Sequence, residues 1–102
     1  MMSQRQKALN LLGLAMRAGK LVTGEEITLK RIKANHVKLV IVSEDASDNT
    51  KKKMTDKCQS YKTPVVFRFS QAELSHAIGK NRTIVGLCDD GFAKKLLQLI
   101  KE

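Results

Sequence analysis

The stretch VKLVIVSE, residues 37 to 44, is apolar almost without a break and rich in β-branched side chains. A strand with one face in water alternates polar and apolar residues, so a run without alternation is expected to be buried on both faces. In a chain of 102 residues that requirement is severe. There is length for one core only, so residues 1–102 are read as a single domain with helices covering both sides of a sheet.

The rest of the chain supplies those helices. Apolar period predicts a helix over residues 3–18, with Ala8, Leu12, Ala15 and Met16 on one stripe and a stop near Gly19. Residues 20–23 read as a short extended piece, and 25–34 as a second helix with Leu29 and Ile32 inward. DASDNT supplies cap residues for a third helix carrying Met54, Cys58 and Tyr61 on one face, and Pro64 opens the strand VVFRF. Ser70 and Glu73 have the S-x-x-E spacing of a capping box, opening a helix through Leu74 and Ile78. A basic turn over 79–82 leads into the strand TIVGLC. Asp89 or Asp90 then caps a last helix that buries Phe92, Leu96 and Leu99. Helices alternating with short strands predict an α/β fold, a three-layer α/β/α sandwich. With three Phe, one Tyr and no Trp, its core is built of Leu, Ile and Val.

Charge narrows the function. Nineteen Lys and Arg against ten Asp and Glu give a formal net charge of +9, which points to a polyanionic partner, nucleic acid ahead of a membrane surface. The scarcity of rings argues against a surface that stacks single-stranded bases. Enzyme signatures are missing. Gly13 and Gly19 before Lys20 have the wrong spacing for a phosphate loop, and Leu21 stands where that loop needs a hydroxyl. There is no G-x-S-x-G and no H-E-x-x-H, and Cys58, Cys88, His36 and His76 lack metal-ligand spacing. The acids of EDASD, residues 44–48, are read as caps for the following helix rather than as a cation site. No enzyme activity, metal or cofactor is expected. The N-terminal stretch is too charged for a signal peptide and no segment has the length to span a bilayer, so a cytoplasmic, monomeric protein is expected.

One segment sits oddly in so basic a chain. VTGEEITLKRIK, residues 22–33, places Glu25 and Glu26 directly after Gly24, among cations. Glu26, Lys30 and Lys33 fall at i, i+4 and i+7 and share a helix face. Two readings stand side by side. Acids in a first turn suit the helix dipole, and a Glu26–Lys30 pair adds about 0.3–0.5 kcal/mol. The same arrangement would also read nucleic acid, with the lysine donating to a guanine edge and the carboxylate accepting from base amino groups or a 2′-OH. Two further segments carry cations that would complete such a surface. NTKKKMTDK puts Lys51, Lys52 and Lys53 in the first turn of a helix, where they oppose the dipole. IGKNRT puts Lys80, Asn81, Arg82 and Thr83 in a turn.

Taken together, TGEEITLKRIKANHVKLVIVSEDAS and the later IGKNRT resemble the ribosomal protein L-seven-Ae/L-thirty-e family, closest to its small bacterial, YlxQ-like branch. The likeness runs from LLGLAMRAGKL to GFAKKL. It implies a small mixed four-stranded sheet in the three-layer sandwich, and a domain that binds kink-turn RNA, a sharply bent duplex with tandem sheared G·A pairs. By position, Gly24 matches the family glycine that allows close backbone approach, and Lys30 the lysine facing the guanines. Glu26 stands where many members have a base-reading Asn, and Ile27 where they have Glu. Ser47 to Lys51 occupy the loop that contacts the bulge, and Arg82 matches a basic position before the last strand. Lys20, Glu25, Lys33, Lys52, Lys80, Asn81 and Thr83 complete the expected RNA-binding set. The expected partner is structured RNA, ribosomal or another non-coding RNA, met free or on the ribosome. The alternative is an accessory domain or partner of an RNA-modifying or ribosome-assembly enzyme, without sequence-specific RNA recognition of its own.

Overall fold

A computed structural model describes residues 1–101. Nine elements follow one another: α1 (Gln4–Arg17), β1 (Leu21–Thr23), α2 (Glu25–Lys33), β2 (Leu39–Val42), α3 (Asp48–Ser60), β3 (Val65–Phe67), α4 (Gln71–Ile78), β4 (Ile84–Leu87) and α5 (Asp90–Ile100). The four strands form one sheet in the order β1-β4-β2-β3. β2 pairs parallel to β3 and antiparallel to β4, and β4 pairs antiparallel to β1.

VKLVIVSE supplies the central strand β2, and all four residues of that strand are buried. Its alternate side chains serve two cores, as the two-residue period of a strand requires. Leu39 and Ile41 face a cluster with Leu12, Leu74, Leu87 and Leu96, under α1, α4 and α5. Val40 and Val42 face a second cluster with Ile32, Met54, Cys58 and Ile84, under α2 and α3. The three-layer sandwich with a mixed four-stranded sheet is thus as expected. Each fully buried Leu, Ile or Val contributes about 1.5–3 kcal/mol.

Local differences have physical causes. β2 and β3 are shorter than VKLVIVSE and VVFRF, because Ser43 and Glu44 turn toward α3 while Arg68 and Phe69 turn toward α4. Phe69 leaves the strand with φ 66° and is buried. Tyr61 is not on the buried face of α3: it lies one residue past the helix end and is exposed. Leu29, Phe92 and Leu99 only half-bury, and Ala93 and Ile100 fill the core beside Leu96. Gly13 belongs to helix packing, since a Cβ there would lie 3.1 Å from the Ala77 carbonyl oxygen on α4.

The capping box of α4 is present, and Glu73 has a second task. Arg5 Nε on α1 donates to its Oε2 at 2.8 Å, and the same guanidinium stands 5.1 Å from the centre of the Phe69 ring. The hydrogen bond from Arg5, then that from the Ser70 N–H, hold the Glu73 carboxyl down at about 2, from an ordinary 4.5. A depressed carboxyl favours the folded state above its unfolded value and loses that contribution as pH falls through the folded one. Glu73→Gln is therefore expected to flatten the acid limb of stability between about pH 4.5 and 2, measured by urea unfolding at stepped pH. Both side chains are partly exposed, so molar salt reduces the effect.

Candidate nucleic-acid interface

The strand directions decide where the chain's polar ends gather. Because β4 runs against the other three strands, the C-terminal ends of β1, β2 and β3 and the start of β4 share one edge of the sheet. α2, α3 and α4 each begin immediately after one of those strands, so their N-termini open onto that edge. α1 enters β1 from the far side, and its first turn lies against the first turn of α4 through Arg5 and Glu73. Four helix N-termini, each with partial positive charge, therefore face one way.

Gly24 follows the outer strand β1 at this edge. Its N–H donates to the Ile84 carbonyl at 2.9 Å, and its carbonyl accepts the first helical bond, from Thr28 at 3.2 Å. It caps α2 with φ 92° and ψ 156° and without any side chain. Arg82 Nε lies 3.5 Å from where a Cβ on Gly24 would be, so the turn before β4 touches the start of α2. That turn is stapled to α4. The Arg82 N–H donates to Ser75 Oγ at 3.0 Å, Gln71 Nε2 donates to Asn81 Oδ1 at 2.7 Å, and Arg82 itself donates to the Asn81 carbonyl at 2.9 Å. Lys80 and Asn81 are exposed; Thr83 is half-buried and gives its carbonyl to the Ser43 N–H at 2.9 Å.

The two glutamates part company here. Glu25 takes Lys53 Nζ at 2.8 Å, a bond that ties α2 to α3 across 28 residues of chain. Glu26 is exposed, and among the described residues neither it nor Lys30 forms an ion pair. The Glu26–Lys30 pair that spacing allows is not made. The third helix also starts earlier than the lysines: Ser47 caps it by accepting from the Thr50 N–H at 3.1 Å, and Asp48 is the acid of its first turn. Lys51, Lys52 and Lys53 therefore lie a turn inside, where opposition to the dipole is weaker. Lys52 meets Asp56 at 3.0 Å with both side chains exposed, a contact of about 0–1 kcal/mol. Asp45 caps α4 instead of the helix that follows it, accepting from the Gln71 N–H at 2.9 Å. That bond holds its carboxyl below the usual range.

Two expected positions stand apart. Lys20 precedes β1 and lies at the opposite end of the sheet, and Lys33 is in the last turn of α2, about 12 Å along the helix from Glu25. Gly24, Glu25, Ser47 and Arg82 do come to one edge, with Glu26 in the first turn of α2 behind it, Lys51 one turn into α3, and Lys30 further along, in the last turn of α2. Ser75 was not singled out in sequence, and Lys53 was named there as a cation but without its partner Glu25. Lys53 meets Glu25 across 28 residues of chain, and Ser75 meets Arg82 across the seven residues that lead from α4 to β4.

Thiol and metal chemistry find little here. Cys58 is buried, which pushes its thiol up to about 11, and burial raises Cys88 as well. Among the described residues no group of His, Cys, Asp and Glu is arranged to hold a metal, and no helix is long and apolar enough to cross a membrane.

A mixed sheet in the order β1-β4-β2-β3 between two helical layers, with a glycine-capped helix, a lysine-bearing helix and a basic turn meeting at one edge, is an L30e-like α/β/α domain. The chain belongs to the Ribosomal protein L7Ae/L30e/S12e/Gadd45 family, whose model matches residues 6–97. It is 55% identical over 97 residues to the RNA-binding protein YlxQ of Enterococcus faecium, covering 95% of this chain and 94% of that one. It is 50% identical over 91 residues to the RNA-binding protein YlxQ of Bacillus subtilis (strain 168), covering 88% and 91%. Among solved structures, a Bacillus halodurans C protein of 49% identity superposes with a TM-score of 0.91 over 94% of this chain and 98% of that one.

Proposed function

We propose that this is a non-enzymatic RNA-binding protein that recognises and stabilises kink-turn motifs through the Gly24 edge. The observation that carries the reading is the contact of Arg82 with the start of α2, the helix whose Glu26 and Lys30 form no ion pair among the described residues. The names of the YlxQ relatives support RNA as the polyanion. In this reading Lys30 donates to guanine edges of the sheared pairs, Glu26 accepts from base amino groups or a 2′-OH, and Gly24 lets the backbone approach closely. Lys51, Lys52, Lys80 and Arg82 relieve phosphate crowding at the bend, with Ser47 and Asn81 as neutral contacts. Lys33 and Lys20 reach only flanking phosphates. A bent state that is rare in free RNA becomes dominant when the protein binds it much better than the open form.

The test is a salt titration of binding to two RNAs, a kink-turn and the same molecule with its G·A pairs made Watson–Crick. Preference for the kink that persists at physiological salt is the expected result. Equal affinities that collapse together with salt would reduce the interaction to a polycation meeting phosphate. That second outcome would favour the other reading, an accessory domain or partner of an RNA-modifying or ribosome-assembly enzyme. One observation points toward it. Ile27, where the family pattern has a carboxylate, is 53% exposed and offers RNA no hydrogen bond.

A further inference from the structure

On the face of the sheet away from α2 and α3, the groove between α1 and α5 is apolar along its floor and basic along its rim. Lys7, Leu11 and Leu14 fall at i, i+4 and i+7 on α1, and Phe92, Lys95 and Leu99 at i, i+3 and i+7 on α5. Each stripe thus consists of one lysine and two apolar side chains, and the two stripes face each other across the trench. Leu14 is 50% exposed and Met2, at the open end, 53%. Leu11, Phe92 and Leu99 are half-buried, while Lys7 and Lys95 are exposed. The one carboxylate among the described residues that line this groove, Asp89, is occupied at the start of α5, where it accepts from the Phe92 N–H at 2.9 Å.

We propose that this groove docks an acidic amphipathic helix of a protein partner, with leucine-like anchors at i, i+4 and i+7 and carboxylates on its flanks. Two parallel ridges with an apolar floor are the receiving surface for a third helix packed about 8–10 Å from each. Charge selects among occupants. Lys7 and Lys95 attract carboxylates, whereas a second copy of a chain carrying +9 would set lysine against lysine. Nucleic acid satisfies the lysines but leaves Leu11, Leu14 and Leu99 against phosphate and sugar. The groove belongs to the α1/α5 layer and the Gly24 edge to the loops and the α2/α3 side, so the two surfaces can be occupied together.

The experiment uses the full chain, labelled with nitrogen-15, and three peptides of about 18 residues, roughly five turns. One is an acidic amphipathic helix of the stated pattern, one has its carboxylates replaced by lysines, and one is a scramble of the acidic peptide. The acidic peptide is expected to shift the amides of Leu11, Leu14, Phe92 and Leu99, and saturating kink-turn RNA should not displace it. Lys7→Glu with Lys95→Glu should weaken it about tenfold, with the thermal midpoint retained. Should that variant fail to fold, Lys7→Gln with Lys95→Gln serves, with a smaller loss expected. Equal binding of the scramble, shifts confined to the Gly24 edge, or no binding by any peptide would overturn the proposal. So would a duplex RNA that shifts the same four amides, or self-association through them seen on dilution.

Discussion

Gly86→Ala is expected to lower stability by about 1–3 kcal/mol, an overpacking cost, and each kcal/mol lowers the unfolding midpoint of a domain this size by about 4–8 °C. Gly86 is in the middle of β4, and its missing side chain is what lets α2 lie close to the sheet. A Cβ there would stand 3.0 Å from Thr28 Cγ2, 3.3 Å from Val22 Cγ2 and 3.4 Å from Val37 Cγ1. The nearest atom belongs to α2 itself, so relief comes from lifting the helix that carries Glu26 and Lys30. RNA affinity should therefore fall even at temperatures where the variant is fully folded. Thr28→Ser removes the closest methyl, and combining it with Gly86→Ala should recover part of both losses in a double-mutant cycle. Strict additivity of the two changes would show that α2 is not pressed by the new methyl.

Lys30→Ala should cost about 1–3 kcal/mol of discrimination between a kink-turn and its Watson–Crick counterpart, roughly five- to 150-fold, with a smaller loss on the counterpart itself. The basis is that Lys30 is free of any ion pair among the described residues and stands one turn from Glu26 on the same face. Lys52→Ala should weaken both RNAs alike and reduce the salt slope by about one, the signature of a phosphate contact. Its bond to Asp56 is solvent-exposed and does not withhold the lysine from a stronger partner. Titrations at three salt concentrations with both RNAs distinguish the two roles. Identical behaviour of the two variants would remove the division between reading and grip.

Much of this arrangement was readable from local pattern, and the boundary of legibility is physical. The buried run of β2, the cap at Ser70 and the stop near Gly19 are determined by residues a few positions apart, and each is where the pattern puts it. Features that depend on strand order were not readable. That Glu25 is engaged by Lys53 and that Asp45 caps α4 depend on which helices and strands lie side by side, and that Ser75 holds the Arg82 backbone depends on the path of the turn between them. Tyr61 was misplaced because helical spacing continues one residue past where the chain stops being helical. The shared face of Glu26 and Lys30 was legible, but spacing alone did not reveal that the two leave each other free.

Two glycines near the interface exclude side chains for opposite reasons. At Gly86 the backbone is ordinary strand and space is lacking; at Gly24 the space exists, with Arg82 at van der Waals distance, and the backbone is at fault. A φ of 92° with ψ of 156° lies in a region that residues of the L series avoid almost entirely. It is the reflection of common extended chain, so a residue of the D series would rest there without strain. Position 24 thus discriminates by handedness rather than by size. Ribosomal synthesis can supply only glycine to it at no conformational cost, whereas chemical synthesis could install a D-alanine and keep the turn.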